Sequence, residues 1–207
     1  MARKKSATRG DKSTRERMLD AGLKTFAQKG FVGATTKEIS SRAGVNEVTL
    51  FRHFGSKEGL YSAVISERHP TESPWIAVAF DDDASADELL RAFAASLLSA
   101  LRANRYLFMI LMGDVWRAPK TRTVIERSAW ENDVVEAAKW MGALMEAGKI
   151  RRMDSRIAAR TMIGMVQSYF LSVDLLADRT PDPAEDDVML SWFVEVFLDG
   201  IRAGGRR

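Results

Sequence analysis

The sequence predicts an all-α fold, about nine helices arranged as a small N-terminal cluster followed by a larger helical domain. Three observations lead there. Oxygen-bearing residues followed three positions later by Glu recur at Ser13…Glu16, Thr35…Glu38, Ser85…Glu88 and Asp182…Glu185, the spacing that satisfies free N–H groups at a helix start. Between these starts apolar residues return with helical rather than alternating period. No segment joins sustained apolar alternation to hairpin-turn residues, so a sheet has no support.

Taken in order, residues 1–13 form a basic tail that carries Arg3, Lys4, Lys5, Arg9 and Lys12. It is either an arm on a polyanion or a solvated, disordered segment, and it lacks the apolar core of a signal peptide. The first helix is expected over about Thr14–Lys29, with Met18, Leu19, Gly22, Leu23 and Phe26 inward and Gly30 ending it. Two short helices follow at Lys37–Ala43 and Glu47–Phe54, joined by Gly44-Val45-Asn46. Gly55-Ser56 then open a fourth helix, Lys57 to about Arg68. A linker over 69–84 holds Pro70, Pro74 and the apolar Trp75–Phe80 stretch, which should dock on the core. Longer amphipathic helices fit 85–103, 105–117, 120–147, 155–178 and 183–203, the last with Pro183 in its first position. The domain boundaries expected are 1–13, 14–68 and 69–207.

Composition narrows the function. Residues 1–68 hold 14 Lys/Arg against 7 Asp/Glu, and residues 69–207 hold 17 against 21. A basic first third facing a polyanion fits that asymmetry, as does an ordinary charged surface. The 207 residues contain no Cys and two His, and neither a glycine-rich phosphate loop nor metal-ligand spacing. An enzyme is therefore disfavoured, and no metal or cofactor is expected. The longest apolar run, Tyr106–Met112, falls far short of the roughly 20 residues that span a bilayer. A soluble, cytoplasmic protein with no membrane partner is the expectation.

The two short helices carry the functional signal. Two helices joined by a tight glycine turn form a helix-turn-helix, whose second helix enters the DNA major groove. Ile39, Ala43, Val45, Leu50 and Phe54 supply the apolar seam, and Ala43 and Gly44 permit a close crossing. Phe51 and Arg52, being consecutive, cannot both face the core.

The run Thr35-Thr-Lys-Glu-Ile-Ser-Ser-Arg-Ala-Gly-Val-Asn-Glu-Val-Thr-Leu-Phe-Arg-His-Phe-Gly-Ser-Lys-Glu-Gly-Leu60 resembles the signature of the TetR family of transcriptional regulators. The preceding Leu19–Phe31 resembles that family's first helix, so the likeness spans about residues 14–65. Val48, Phe51 and Gly22 depart from it, standing where a small residue or Pro, Tyr, and Ala are usual. The resemblance implies an N-terminal helix-turn-helix DNA-binding domain followed by a helical ligand-binding and dimerisation domain. It implies phosphate contacts at Thr36, His53 and Lys57, the last at a helix N-terminus that favours anions. Glu47, Val48, Thr49 and Arg52 are the candidates for reading bases, and Lys37 and Phe51 complete the DNA-facing set. The plainer alternatives are a surface ion pair for Arg52 and aromatic packing for His53.

In that family the last two long helices pair with those of a second copy as a four-helix bundle. The corresponding expectation here is a homodimer through Ile163, Val166, Phe170, Val173, Trp192, Phe193, Val196 and Phe197. A small-molecule pocket is expected among residues 85–176, lined by Phe108, Met109, Met112, Trp116, Trp130, Val134, Met141, Met145 and Tyr169, although such stripes also build ordinary cores. The implied function is a repressor that binds a palindromic double-stranded DNA operator as a dimer and is released by an apolar or amphipathic effector. The alternatives are activation of transcription, or a protein partner in place of a metabolite.

Overall fold

The computed structural model describes residues 12–68, 78, 81–117, 126–177 and 179–201, apart from the side chains of 114–117, 126–131 and 201. Residues 1–11 of the basic tail, nearly all of the 69–80 stretch, and the side chains of Trp116 and Trp130 lie outside the described residues. The described residues form nine α-helices: α1 Thr14–Gly33, α2 Thr36–Ala43, α3 Glu47–Phe54, α4 Lys57–Arg68, α5 Ala86–Ala103, α6 Arg105–Arg117, α7 Glu126–Glu146, α8 Ser155–Phe170 and α9 Pro183–Ile201. A π-helical stretch, Leu171–Leu176, continues α8.

The caps act largely as their spacing predicts. Ser13 and Ser85 form reciprocal capping boxes with Glu16 and Glu88, whereas Thr35 accepts from the Glu38 N–H. At α9 the Asp182 carboxylate instead caps the Ala184 N–H at 3.0 Å. Gly30 does leave helical geometry (φ 68°, ψ 172°), but as a kink, after which the chain turns on to Gly33.

The chain divides into two compact units, residues 1–69 with 106–125, and residues 70–105 with 126–207. In the first, α1 packs on α2 and α4, and α3 packs on α2 and α4. Met18, Leu19, Phe26, Ile39, Leu50, Leu60, Val64 and Ile65 form its core, joined by Leu107 and Ile110 of α6. The boundary expected at residue 68 therefore does not separate α6 from the N-terminal helices.

In the second unit α5 lies against α8 and α9, and α7 against α8. One polar cluster crosses this interior. The Arg102 guanidinium grips both Asp174 (Nε–Oδ1 2.7 Å) and Asp186 (Nη1–Oδ2 2.5 Å), and the Tyr169 hydroxyl donates to Asp186 at 2.9 Å. Both carboxylates are buried. The bond from Arg102 outweighs burial and holds the Asp186 carboxyl below its ordinary pKa. Burial, with the bond to Asp186, pushes the Tyr169 phenol up to about 12.

This cluster explains a departure from expectation. A single α-helix over 155–178 was anticipated, but the wider π-turn sets in at Leu171 and Asp174 within it is buried against Arg102. Such π-segments are uncommon and tend to mark specific demands on one side chain.

Candidate nucleic-acid interface

The turn between α2 and α3 is built from backbone bonds. Gly44 adopts a left-handed conformation (φ 67°, ψ 39°) that stops α2, a conformation glycine reaches without steric cost. The Val45 N–H then donates to the Ser40 carbonyl at 3.0 Å. Asn46 caps α3, its Oδ1 accepting from both the Thr49 N–H and the Thr49 hydroxyl at 2.8 Å. Leu50 anchors α3 in the core beside Ile39 and Ala43. Behind the turn, a Cβ on Gly59 would fall 2.0 Å from the Phe54 carbonyl oxygen, so only glycine lets α4 start this close to the end of α3.

With Leu50 buried, the rest of α3 faces outward. Val48 is 75% exposed and Phe51 44%, and Arg52 and His53 are exposed as well. Among the described residues no ion pair holds Arg52, so its fork is available for the bidentate bond that arginine makes to guanine. His53 is a surface residue with its ring tilted 41° to that of Phe54, centroids 6.1 Å apart. Lys37 is exposed at the start of α2.

Three expected contacts look different in the structure. The Thr49 hydroxyl proton is committed to Asn46. The Thr36 hydroxyl donates to the Glu47 carboxylate, tying the first turn of α2 to the first turn of α3. Lys57 sits at the start of α4, but its ammonium lies 4.5 Å from the centre of the Phe31 ring and 3.4 Å from the Val32 carbonyl. To reach a phosphate it must turn from that site.

Ion pairs brace the frame behind α3. Arg15 bonds the Glu67 carboxylate and lies 5.2 Å from the Phe54 ring centre, while Arg68 pairs with Asp20 at 2.8 Å. Sequence reasoning missed these long-range pairs and the role of Asn46. An Asn directly before a short helix is a recognised cap, so that signal was present; nothing in the sequence pairs Arg15 with Glu67.

The expected pocket residues fall on both units. Phe108 is buried, Met109 half-buried and Met112 exposed on α6, and Val134, Met141 and Met145 are buried on α7. Tyr169 belongs to the Arg102 cluster. Trp140, not anticipated, stacks on Phe93 with ring centres 5.1 Å apart, and its indole N–H is buried with no hydrogen-bond partner among the described residues.

Half of the expected dimer set lies inside the chain: Ile163, Val166, Phe170 and Phe197 are buried in its own core, where α8 packs on α5 and α7, and α9 on α5. Val173 and Phe193 are half-buried. Trp192 and Val196 do project, each 58% exposed, and with Val188 at 57% they form a stripe along α9.

If Arg52 reads a base, Arg52→Ala should relax preference at one symmetric position in each half-site, costing about 1–3 kcal/mol there. Competition binding against singly substituted duplexes checks it. Equal losses on specific and random DNA would make Arg52 a backbone contact.

Comparison with known proteins agrees with this geometry. The family model described as bacterial regulatory proteins, tetR family, matches residues 18–64. That described as the C-terminal domain of AefR-like transcriptional repressors matches residues 87–200. YvkB of Bacillus subtilis (strain 168), an uncharacterized HTH-type transcriptional regulator, is 27% identical over 192 residues, covering 92% of this chain and 98% of its own. RaaS, an HTH-type transcriptional regulatory protein of Mycobacterium tuberculosis (strain H37Rv), is 26% identical over 93% of this chain and 89% of its own. Among solved structures, the regulator FadR of Bacillus subtilis, in complex with stearoyl-CoA, superposes with a TM-score of 0.71 at 15% identity, over 90% of this chain and 99% of its own. With a reading helix of this form and both halves of the chain matched, the protein belongs to the TetR family of helix-turn-helix DNA-binding transcriptional regulators.

Proposed function

We propose that the chain is a repressor that binds a palindromic operator as a homodimer and leaves it when a small apolar or amphipathic molecule binds. The observation that carries this reading is α3, an eight-residue helix anchored by Leu50 with Val48, Phe51, Arg52 and His53 turned to solvent. Apolar side chains on a basic reading head have no core to fill there, and thymine methyl groups are natural partners for Val48. The apolar stripe on α9 supports a second copy, and two-fold symmetry would match a palindromic site.

An effector site within the second unit is supported by the apolar residues Val134, Met141 and Met145 on α7 and by the Trp140 indole N–H, buried with no partner among the described residues. A buried unpaired donor costs about 1–3 kcal/mol, which a ligand acceptor would recover. The acyl-CoA bound by the FadR structure is one chemistry that suits such a lining.

A ligand releases DNA only if it binds the DNA-free conformation more tightly, and DNA must then weaken the ligand by the same factor. Selection of genomic fragments by the protein should first yield a palindromic sequence; failure to enrich any sequence would defeat operator binding. Stearoyl-CoA titrated into free protein and into the protein–operator complex then tests release. Weaker binding to the complex is expected, and equal affinity would exclude that compound as an inducer.

A further inference from the structure

Glu47 stands in the first turn of the reading helix, where a negative charge approaches the DNA phosphates and opposes binding. Its carboxylate would be free to accept from a cytosine amino group. In the structure Oε1 already accepts the hydroxyl proton of Thr36, eleven residues earlier, in a half-buried bond that ties the side chain back towards α2. Both residues occupy the first helical position of their elements, α2 and α3. A helix of eight residues has little stability of its own, so its orientation is set by what ties it down. The Gly44 turn joins the end of α2 to the start of α3, and Leu50 fixes α3 in depth. The Thr36–Glu47 bond adds a third tie, which closes the angle between the two helices. Charge-assisted bonds of this kind are among the stronger ones available.

We propose that Glu47 is a positioning residue: bonded to Thr36, it fixes the tilt of α3 on α2, and so the register of Val48 and Arg52 on the bases, without touching a base itself. The inference rests on operator recognition by α3. It makes the hydroxyl of Thr36 an internal strut and leaves the Thr36 backbone N–H, at the start of α2, as the group that can reach a phosphate. Glu47 thereby gives up some affinity for DNA in exchange for sequence discrimination.

Full-length wild type, Glu47→Gln, Glu47→Ala, Thr36→Ser, Thr36→Val and the Thr36→Val/Glu47→Ala double variant are each used to select from a random duplex pool. Affinities are then measured for the wild-type selected duplex and for random duplex across a salt series, with thermal melts as a check on folding. Glutamine keeps the acceptor and removes the charge. Glu47→Gln should therefore select the same sequence while binding selected and random duplex alike roughly two- to tenfold more tightly at low salt. Glu47→Ala and Thr36→Val should each lower the ratio of selected to random affinity by about tenfold, the factor expected of one bond to a charged group. The double variant should be no worse than either single one, because both remove the same bond, and Thr36→Ser should restore discrimination. A new base preference at one symmetric position in Glu47→Gln would show that Glu47 reads that base and would overturn the proposal. Wild-type discrimination in Glu47→Ala would overturn it equally. Should wild type select no sequence, operator recognition itself would fall, and this inference with it; the conservative Gln and Ser variants decide the matter if Ala or Val melts early.

Discussion

Arg102→Met is expected to lower unfolding free energy by about 3–5 kcal/mol near neutral pH, the range for removing one partner of a buried charge pair. Arg102 is the cation bonded to two carboxylates that are themselves buried, Asp174 and Asp186. Methionine fills the stem of the arginine but leaves both buried carboxylates without the counter-charge they share. The pH dependence separates this cause from lost packing. In wild type the bond from Arg102 holds the Asp186 carboxyl below its ordinary value. Its contribution is therefore present above the unfolded value of about 3.9 and is lost as pH falls through the lower folded value. In Arg102→Met the buried Asp186 carboxylate keeps only the Tyr169 hydroxyl and loses its counter-charge, so protonation of Asp186 relieves the variant while acidification weakens wild type. Urea melts at successive pH values should show the two stabilities converging below about pH 4. A difference that stays constant with pH would assign the loss to packing alone.

How much of this was legible in the sequence depended on the range of the interaction. The reading head was legible because its signals are local: Gly44 must stop α2, Thr35 stands at a cap position, and Leu50 is the inward residue of a very short helix. The sequence places Gly22 on the inward face of α1, where Ala is usual in the family, but does not say what it meets. In the structure a Cβ there would lie 3.1 Å from Val64, a close approach of α1 to α4 that no local pattern reveals. The π-turn at 171–176 was illegible for the same reason, since its buried Asp174 bonds Arg102, 72 residues earlier. The dimer set failed differently. Periodicity tells that α8 and α9 are apolar on several sides but not which side the chain's own helices cover, and Phe170, Ile163 and Val166 are buried within the chain. The pocket set stays divided between the two units, and Trp140 was passed over because its indole N–H is exceptional only once its surroundings are known.

That correction determines how dimerisation must be tested. Phe197→Asp would place a charge at a site only 4% exposed, and would unfold the chain whether or not it dimerises, since an unpaired buried charge is among the costliest substitutions. Trp192→Asp/Val196→Asp is the informative variant. Both positions are more than half exposed, and they follow Val188 at four-residue steps along one face of α9, so the isolated chain should tolerate them with little loss of stability. In a dimer packed on that stripe, four carboxylates would meet in an apolar seam. Light scattering should then fall from twice the chain mass of 23.1 kDa to that mass, with the helical signal retained. The consequence for DNA is larger. When two reading heads are joined, the second half-site binds at a high effective concentration, an advantage of roughly 10²–10⁴ in affinity. Affinity for the complete palindrome should drop by about that factor, while affinity for a duplex bearing one half-site stays as it was. A wild-type protein that is already monomeric at micromolar concentration would defeat the dimer outright. A variant that remains dimeric would move the interface off α9. Equal losses on the palindrome and on the half-site would mean that the substitutions damaged the reading head, and that the stripe does not act by joining two of them.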